Sequence, residues 1–132
     1  MRGGNPLRSH EVLSDHGSSV IKSLYHSMGY DKEDLEKPLI GIANSWSTVC
    51  PGSYNLRAIA DEVKAGIYQA GGTPIEFGTI GGCDGIASHK MGGMRYILPM
   101  RGIIADSIEL MVQAHWLDGI VLLASCDKII PG

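Results

Sequence analysis

Cys126, Asp127 and Lys128 have the clearest capacity for chemistry, because they follow one another directly after an apolar run. A thiolate is a ligand for soft metals and iron–sulfur clusters, whereas a carboxylate prefers magnesium. A lysine desolvated beside them is expected to have a lowered pKa and to become a base, a nucleophile or a site of carbamylation. The alternative is an inert, half-buried cysteine next to a surface ion pair, and the three residues alone favour that alternative.

Asp84 is the second candidate, and it lies in the glycine-rich sequence Gly-Cys-Asp-Gly at 82–85. A carboxylate at the tip of a flexible loop suits a hard divalent cation such as magnesium, which prefers oxygen ligands. The alternative is that Asp84 only caps a turn, as aspartate before glycine often does. Both interpretations stay open on these residues alone.

Cys50 is the third candidate. It stands before Pro51 in the polar stretch NSWSTVCPG, 44–52, rather than within an apolar run. A buried structural role is therefore not expected for this thiol, which leaves it available for a cofactor.

The composition excludes several classes of partner. The 132 residues carry a net charge of −3 without a run of Lys or Arg, so nucleic acid and anionic membranes are not expected to bind. No apolar stretch reaches 18 residues, and the N-terminus lacks the apolar segment of a secretory signal. The three widely spaced cysteines argue against a disulfide framework and for a reducing cytoplasm.

Apolar spacing predicts the elements that must position these residues. A short amphipathic helix is expected over 21–28 and a second over 56–67, each followed by glycine, and a third is expected to begin at Pro99. Residues 1–13 show no periodicity and are predicted to form an extended or mobile arm before a domain over 14–132.

Three short apolar runs predict strands at 38–43, 74–77 and 119–124. The last of them, GIVLLA, is continuous, which is typical of a strand buried on both faces. A long glycine-rich loop is expected over 78–98. The alternation of strands and helices predicts an α/β fold, a layered αβα domain with a mainly parallel sheet.

In such a sheet, ligands bind beyond the carboxyl ends of the strands. The polar segments 44–53, 78–93 and 125–132 each follow one predicted strand, and each contains one of the three cysteines. We therefore expect the three segments to meet at one edge of the sheet and to form the site there.

Four segments of the chain form a familiar series: PLIGIANSWSTVCPGSYNLR (38–57), GCDGIA (82–87), GGMRYILPMRGIIADSIE (92–109) and CDKIIPG (126–132). In this order and spacing they resemble the dihydroxy-acid dehydratase and sugar-acid dehydratase family. The similarity runs from about Arg8 to the last residue. No single motif would be specific, but the four together are.

The resemblance implies a hydro-lyase that uses an iron–sulfur cluster, of the 2Fe–2S or 4Fe–4S type, and magnesium to convert 2,3-dihydroxy acids to 2-keto acids. By the resemblance, Cys126 matches a cluster ligand, and Asp84 and Asp127 match magnesium ligands. Lys128 matches a lysine that is carbamylated and binds magnesium, which makes it a catalytic residue as well. The implied pathway is valine and isoleucine biosynthesis, and the implied full-length assembly is a homodimer.

The chain departs from the family pattern in two places. Family members with a cysteine in the first loop carry it where this chain has Gly52, so the role of Cys50 as a cluster ligand stays open. The segment 88–91 is one residue longer than the family's usual turn. The family's second cluster cysteine, its magnesium-binding glutamate and its serine base are expected beyond residue 132. The chain is therefore expected to be the N-terminal part of a larger two-domain enzyme and to be inactive alone.

Three alternatives remain open at this point. A sugar-acid dehydratase of the same family would share the residues of the candidate site. A non-catalytic, metal-binding fragment would fit the chain as it stands. A flavodoxin-like nucleotide binder would fit the alternation of strands and helices, but the spacing after the first strand lacks a phosphate-binding loop.

Overall fold

The three apolar runs form a parallel sheet in the computed structural model of the chain, which describes residues 7–132. The strands are β1, Leu39–Asn44; β2, Thr73–Gly78; and β3, Gly119–Leu123. Their order is β2-β1-β3, and β1 runs parallel to both neighbours, with Gly41 opposite Ile75 on one side and Ile120 on the other. The predicted α/β fold with a parallel sheet is confirmed.

Within residues 7–132, five α-helices accompany the sheet: α1, Arg8–Leu13; α2, Ser19–Ser27; α3, Leu56–Gln69; α4, Asp84–Ala87; and α5, Met94–Ala114. The helices predicted over 21–28 and 56–67 are α2 and α3. Gly29 and Gly71, just beyond their ends, have positive φ angles of 96° and 85°, which glycine adopts without strain. Among the described residues, none of the helices combines the length and apolarity that crossing a membrane requires.

Helices cover both faces of the sheet. A Cβ atom on Gly72 would lie 3.2 Å from both Ile40 and Ile67, which places α3 against one face of β1. Leu39 is next to Ile40 and therefore points to the opposite face. There it packs in a buried cluster with Leu13 of α1 and with Leu117, which follows α5. The predicted αβα layering is confirmed.

The prediction of an extended arm over residues 1–13 is wrong for Arg8–Leu13, which form α1 and bury Ser9 and Leu13. A helix of six residues is too short to show a periodic pattern of apolar residues, so no helical signal is present in this part of the sequence. Residues 1–6 of the predicted arm lie outside the described part of the chain.

The loop predicted over 78–98 is also wrong in part. It contains α4, and α5 begins at Met94 rather than at Pro99. Proline lacks an N–H, and inside a helix it removes one hydrogen bond, so the pattern favoured Pro99 as the first residue. In α5 that loss falls in the second helical turn, and Ile97 and Ile104 on either side of the proline are buried.

β3 differs from its prediction as well. Its residues alternate in exposure, and Ile120 and Leu122 are 37% and 58% exposed among the described residues. The apolar run GIVLLA correctly predicts a strand but wrongly predicts burial on both faces.

Asp118 holds α1 to the sheet. Its carboxylate accepts hydrogen bonds from the backbone N–H of Ser9 at 3.1 Å, from the Ser9 hydroxyl at 2.6 Å and from the backbone N–H of Leu39 at 2.8 Å. Asp118 itself lies just before β3. Its carboxylate therefore connects three places in the fold: the first turn of α1, the start of β1 and the start of β3.

Replacing Asp118 with alanine is expected to lower the free energy of unfolding by about 1–3 kcal/mol, because three donors lose a charged acceptor in a half-buried place. Urea unfolding monitored by circular dichroism measures this change. Asp106→Ala, on the exposed side of α5, is the control and is expected to change the free energy by less than about 0.5 kcal/mol. Equal effects of the two substitutions would contradict this role of Asp118.

Two glycine substitutions are expected to change stability in opposite directions. A Cβ on Gly41 would lie 2.7 Å from side-chain carbons of both Leu117 and Ile120, so Gly41→Ala overpacks the core and is expected to cost about 1–3 kcal/mol. A Cβ on Gly66, inside α3, meets no heavy atom within 4 Å, so Gly66→Ala is expected to add about 0.5–1 kcal/mol. Thermal unfolding of both variants gives the sign of each change, and a stabilised Gly41→Ala would contradict the packing described here.

Candidate functional site

The loops after the three strands meet at the carboxyl edge of the sheet, as predicted. Ser45, directly after β1, donates from its backbone N–H and its hydroxyl to the carbonyl of Leu123, the last residue of β3. Thr79, directly after β2, donates its backbone N–H to the carbonyl of Asn44. These bonds extend the pairing of the strands into the loops and hold the three loops side by side.

The three cysteines come together in one apolar cluster. Cys50 is buried there with Ile104 of α5 and Ile129, and Cys83 and Cys126 pack against them. All three thiols are free. The convergence predicted from the positions of the loops is thus present, and it brings three soft sulfur ligands to one place.

The expectation that Cys50 is not buried is wrong, since its side chain is 1% exposed. The polar loop folds back at the helical turn Pro51–Ser53, where the N–H of Ser53 donates to the Cys50 carbonyl. The turn also brings Gly52 close to the third loop, where a Cβ on Gly52 would lie 3.0 Å from the Ser125 hydroxyl oxygen. The loop thereby turns the Cys50 thiol toward Cys126 and leaves little room for a side chain at Gly52.

Burial raises the pKa of the Cys50 thiol more than any other single influence. Hydrogen bonds from the side chain and backbone of Ser53, from the backbone of Gly52 and from Cys126 act in the opposite direction and together bring the pKa below its ordinary value. The thiolate of Cys50 is therefore stabilised by donors that surround it, which is the environment of a reactive or ligating cysteine.

Asp84, Cys126 and Asp127 offer three ligand atoms that all lie within 4.8 Å of one another. The Cys126 thiol donates to Asp84 Oδ1 at 3.6 Å and to Asp127 Oδ1 at 3.5 Å. Burial, with the Asp127 carboxylate and nearby Cys50 as further causes, raises the pKa of Cys126. The thiol, rather than the thiolate, therefore fits beside the pair of carboxylates.

The backbone at Cys126 adopts a positive φ of 75°, a left-handed conformation that is rare for residues other than glycine. The chain reverses there directly after β3, and the Cys126 carbonyl accepts from the backbone N–H groups of Ile129 and Ile130. This turn presents three successive functional side chains, 126–128, to the second loop.

Lys128 completes the group. Its ammonium lies 3.0 Å from Asp127 Oδ2 and 3.6 Å from Asp84 Oδ2. The hydrogen bond to Asp127 is the main reason that the pKa of Lys128 is raised, and the same bond lowers the pKa of Asp127. The expected lowering of the lysine pKa by desolvation is therefore wrong for this state, because two carboxylates stabilise the charged amine.

The donor set fits both groups that the resemblance implies. Asp84 and Asp127 come from different loops and turn carboxylate oxygens toward a common point, which is the ligand type that magnesium prefers. The thiols of Cys50 and Cys126 neighbour each other on the apolar side of that point and suit iron. The carboxylate oxygens that suit magnesium and the sulfur atoms that suit iron thus lie next to each other in two distinct groups.

A second polar group, which we did not predict from the sequence, supports the base of the first loop. The Asn44 amide donates to Glu76 Oε1 at 2.8 Å, and Asn44 Oδ1 accepts from the backbone N–H of Trp46 at 2.9 Å. The other carboxylate oxygen of Glu76 forms an ion pair with Lys64 of α3. A single carboxylate within the apolar run of β2 was the available signal that a polar partner lies beside it, and the Glu76 side chain keeps 31% of its surface exposed.

The first loop is held on its outer side by aromatic contacts. The Arg57 guanidinium carbon lies 3.8 Å from the ring centroid of Trp46, and the Trp46 indole N–H donates to the Tyr54 carbonyl at 3.1 Å. Cation–π contacts of this kind contribute about 0.5–2 kcal/mol. They fix the start of the loop against α3, so that the loop's far end turns inward with Cys50.

Comparison with known proteins gives consistent matches. Residues 37–132 match the family model described as "Dihydroxy-acid/6-phosphogluconate dehydratase N-terminal". Proteins named dihydroxy-acid dehydratase are similar over 96% of this chain: the one from Pyrococcus furiosus is 59% identical, and the one from Methanospirillum hungatei is 52% identical. A third, from Caldanaerobacter subterraneus subsp. tengcongensis, is 56% identical over the same share. The chain spans 22–23% of the length of these relatives.

The pair of Glu76 and Lys64 predicts a dependence of stability on pH. Burial is the largest single influence on the pKa of Glu76 and raises it, but the hydrogen bonds from Asn44 and Lys64 together hold it below its ordinary value. The ionised carboxylate therefore stabilises the fold above about pH 4.3, the value in an unfolded chain, and this contribution is lost as the pH falls through the lower, folded pKa.

Glu76→Gln is expected to lower the free energy of unfolding by about 0.5–1 kcal/mol at pH 7, because solvent partly screens the pair, and this difference from the unsubstituted chain should shrink below pH 4. Denaturant unfolding at several pH values measures it. Glu62→Gln, exposed on α3, is the matched control and should leave the free energy nearly unchanged. A difference for Glu76→Gln that is the same at pH 7 and pH 3 would contradict the proposed charge effect.

Proposed function

Because the chain belongs to the dihydroxy-acid/6-phosphogluconate dehydratase family, we propose that it is the N-terminal part of a hydro-lyase that converts 2,3-dihydroxy carboxylic acids to 2-keto acids. The activity proposed first is that of dihydroxy-acid dehydratase in valine and isoleucine biosynthesis, after the names of the similar proteins. The observation that carries the proposal is the convergence of Asp84, Cys126 and Asp127 within 4.8 Å beside Lys128.

Asp84 and Asp127 are the proposed magnesium ligands of this chain. Each carboxylate has one oxygen within hydrogen-bonding reach of Cys126 and another paired with Lys128, so each can turn toward a cation without moving its loop. An ion at this place would replace the Lys128 ammonium as the positive partner of both carboxylates.

Lys128 is proposed to bind the same cation as a carbamate. In that step the ammonium first loses one proton to water, and the neutral amine nitrogen then forms a bond to the carbon of carbon dioxide. One carbon–oxygen π bond breaks, its electron pair passes to oxygen, and the nitrogen loses a second proton to water, so that a positive group becomes a negative oxygen ligand. A cation held by Asp84 and Asp127 favours this change, because those carboxylates then no longer stabilise the charged amine.

Cys126 is the proposed ligand of an iron–sulfur cluster, with Cys50 as the ligand from the first loop. Cys50 replaces the residue-52 thiol of other family members, because the turn at Pro51–Ser53 directs Cys50 toward Cys126 and seats Gly52 tightly against Ser125. The apolar surroundings given by Ile104 and Ile129 would keep water from the sulfur atoms.

When bound, magnesium would supply a Lewis acid for the carboxylate and 2-hydroxyl of the substrate, and the cluster one for the departing 3-hydroxyl. The residues of this chain hold both groups at one sheet edge, so that the two ends of a three-carbon unit could be bound together. The serine base expected from the family resemblance matches no residue of the chain, and we propose that it is supplied by the remainder of a longer protein.

The proposal includes the setting of the enzyme. Free thiols at the proposed cluster site suit a reducing compartment, and we propose the cytoplasm. We also propose a homodimer for the full-length protein, after the family resemblance.

The test is anaerobic reconstitution of the full-length enzyme with iron and sulfide, followed by an assay of keto-acid formation from 2,3-dihydroxy-isovalerate with and without magnesium. Cluster absorbance and magnesium-dependent turnover are expected. Asp84→Asn is expected to reduce kcat roughly 10²- to 10³-fold, the scale for removing one group that stabilises charge in a transition state. Asp106→Asn, on the exposed side of α5, is the control and should keep full activity.

The other outcomes separate the alternatives. A cluster without turnover of this substrate, but with turnover of an aldonate such as gluconate, would identify a sugar-acid dehydratase. Cluster binding that survives Cys126→Ser would remove Cys126 from the ligand set. Absence of both cluster and turnover would overturn the proposal in favour of a non-catalytic fragment.

A further inference from the structure

Cys50 and Cys126 lie together with both thiols free, and the proposed function gives them a role only as ligands of a bound cluster. We propose that in the metal-free chain this pair is an oxidation site, at which hydrogen peroxide converts the two thiols to a Cys50–Cys126 disulfide. The formation of the disulfide does not depend on the proposed function. One consequence, that the disulfide blocks uptake of the cluster, rests on it.

The first and third loops are packed directly against each other beside the two thiols. A Cβ on Gly52 would lie 3.0 Å from the Ser125 hydroxyl oxygen and 3.8 Å from the Cys126 backbone nitrogen. The hydroxyl oxygens of Ser53 and Ser125 are 3.4 Å apart. Because these contacts come from residues next to Cys50 and Cys126 in sequence, they hold the two cysteines near each other.

The two sulfur atoms differ in their access to solvent. They lie within hydrogen-bonding reach, with the Cys126 thiol as a donor to Cys50. Cys50 is 1% exposed, whereas Cys126 is half-buried at the edge of the same cluster. A peroxide molecule, which is little larger than water, therefore meets Cys126 first. An accessible thiol with a second thiol behind it suits capture of the first oxidation product, before that product is oxidised further.

The reaction has two steps. The Cys126 sulfur loses its proton to water and attacks one oxygen of hydrogen peroxide, so that a sulfur–oxygen bond forms, the oxygen–oxygen bond breaks and hydroxide leaves. The Cys50 sulfur, deprotonated in the same way, then attacks the Cys126 sulfur, so that the sulfur–sulfur bond forms, the sulfur–oxygen bond breaks and a second hydroxide leaves. The hydroxides take up the two protons. Two thiols are thus oxidised to one disulfide, and one peroxide is reduced to two water molecules.

Cys83 is the alternative partner for Cys126, but its loop approaches the third loop through a different residue. Asp84, the next residue, accepts from the Cys126 thiol at 3.6 Å. Cys83 itself stands directly before α4 and packs half-buried against the cysteine cluster. The geometry therefore favours one disulfide and a free Cys83 over a mixture of pairings.

The first experiment maps the disulfide in the unsubstituted 132-residue chain. The metal-free chain is reduced anaerobically, freed of reductant and treated with about one equivalent of hydrogen peroxide, and the remaining thiols are blocked with iodoacetamide. After proteolysis, mass spectrometry is expected to find the peptides linked through Cys50 and Cys126 at least about tenfold more abundant than any pair that contains Cys83, because the fold holds the reacting thiols together.

The same treatment of the chain unfolded in guanidinium chloride is the control, and it is expected to give all three pairings. An even mixture from the folded chain, or a preference for pairs that contain Cys83, would overturn the assignment of Cys50 and Cys126.

Two matched substitutions test the roles of the thiols. Cys83→Ser is expected to leave the yield of the Cys50–Cys126 disulfide unchanged. Cys50→Ser removes the capturing thiol, so a sulfenic acid is expected to accumulate at Cys126 and to form an adduct with dimedone. Circular dichroism checks that each variant folds, and the mapping of the unsubstituted chain decides the pairing even if Cys50→Ser does not fold. A folded Cys50→Ser that forms no adduct at Cys126 would contradict the proposed order of steps.

The consequence for the cluster is tested in the full-length enzyme. Oxidation with peroxide before anaerobic reconstitution is expected to lower bound iron and sulfide at least about tenfold, because a disulfide offers no thiolate to the metal, and dithiothreitol is expected to restore both. An oxidised enzyme that carries the disulfide and still takes up as much cluster as the reduced one would show that blocking of uptake is wrong.

The remaining outcomes separate this inference from the proposed function. If the Cys50–Cys126 disulfide does not form while the reduced full-length enzyme takes up a cluster, the inference is wrong and the proposed function stands. If the disulfide forms but the reduced full-length enzyme takes up no cluster, the proposed function falls and the oxidation site stands.

Discussion

β1 lies between β2 and β3 and runs parallel to both, so the chain must leave all three strands at the same edge of the sheet. The side chains of the site come from segments of the sequence that are far apart, and only this pairing brings them together. The hydrogen bonds of Ser45 and Thr79 continue the pairing for one residue past the strands. A substitution that weakens the hydrogen-bonded pairing of β1 with β2 and β3 therefore separates the sulfur and carboxylate ligands, even when the ligands themselves are unchanged.

The edge of the sheet carries charge in two separate groups, and in each of them a lysine pairs with a carboxylate. On one side Lys64 neutralises Glu76, which in turn holds Asn44 at the root of the first loop. On the other side Lys128 lies between Asp84 and Asp127. The first group contains no thiol and has every polar atom engaged, so it suits a supporting role. The second has a surplus of negative charge next to three sulfurs, which suits the binding of cations.

Much of the fold could be predicted because its signals are local. The strands and the helices α2 and α3 follow from apolar spacing, and the meeting of the loops follows from parallel strands. The burial of Cys50 could not be predicted, because the path of the first loop depends on contacts with residues distant in sequence: Trp46 lies against Arg57 of α3, and Asn44 donates to Glu76 of β2. The early start of α5 was hidden by Pro99, and the raised pKa of Lys128 depends on Asp84, which is distant in sequence. The burial of Cys50 and the pKa of Lys128 thus depend on contacts between segments that are distant in sequence.

The left-handed backbone at Cys126 has a consequence for the engineering of this fold. A residue other than glycine in that conformation costs roughly 1–2 kcal/mol, and glycine at the same position would remove the strain. A search for heat-resistant variants that scores only stability would therefore favour Cys126→Gly and discard the thiol. The same trade-off between stability and activity is common where strain is kept at a working site. Selection for tolerance to heat should thus favour glycine at position 126, whereas selection for cofactor retention should favour cysteine.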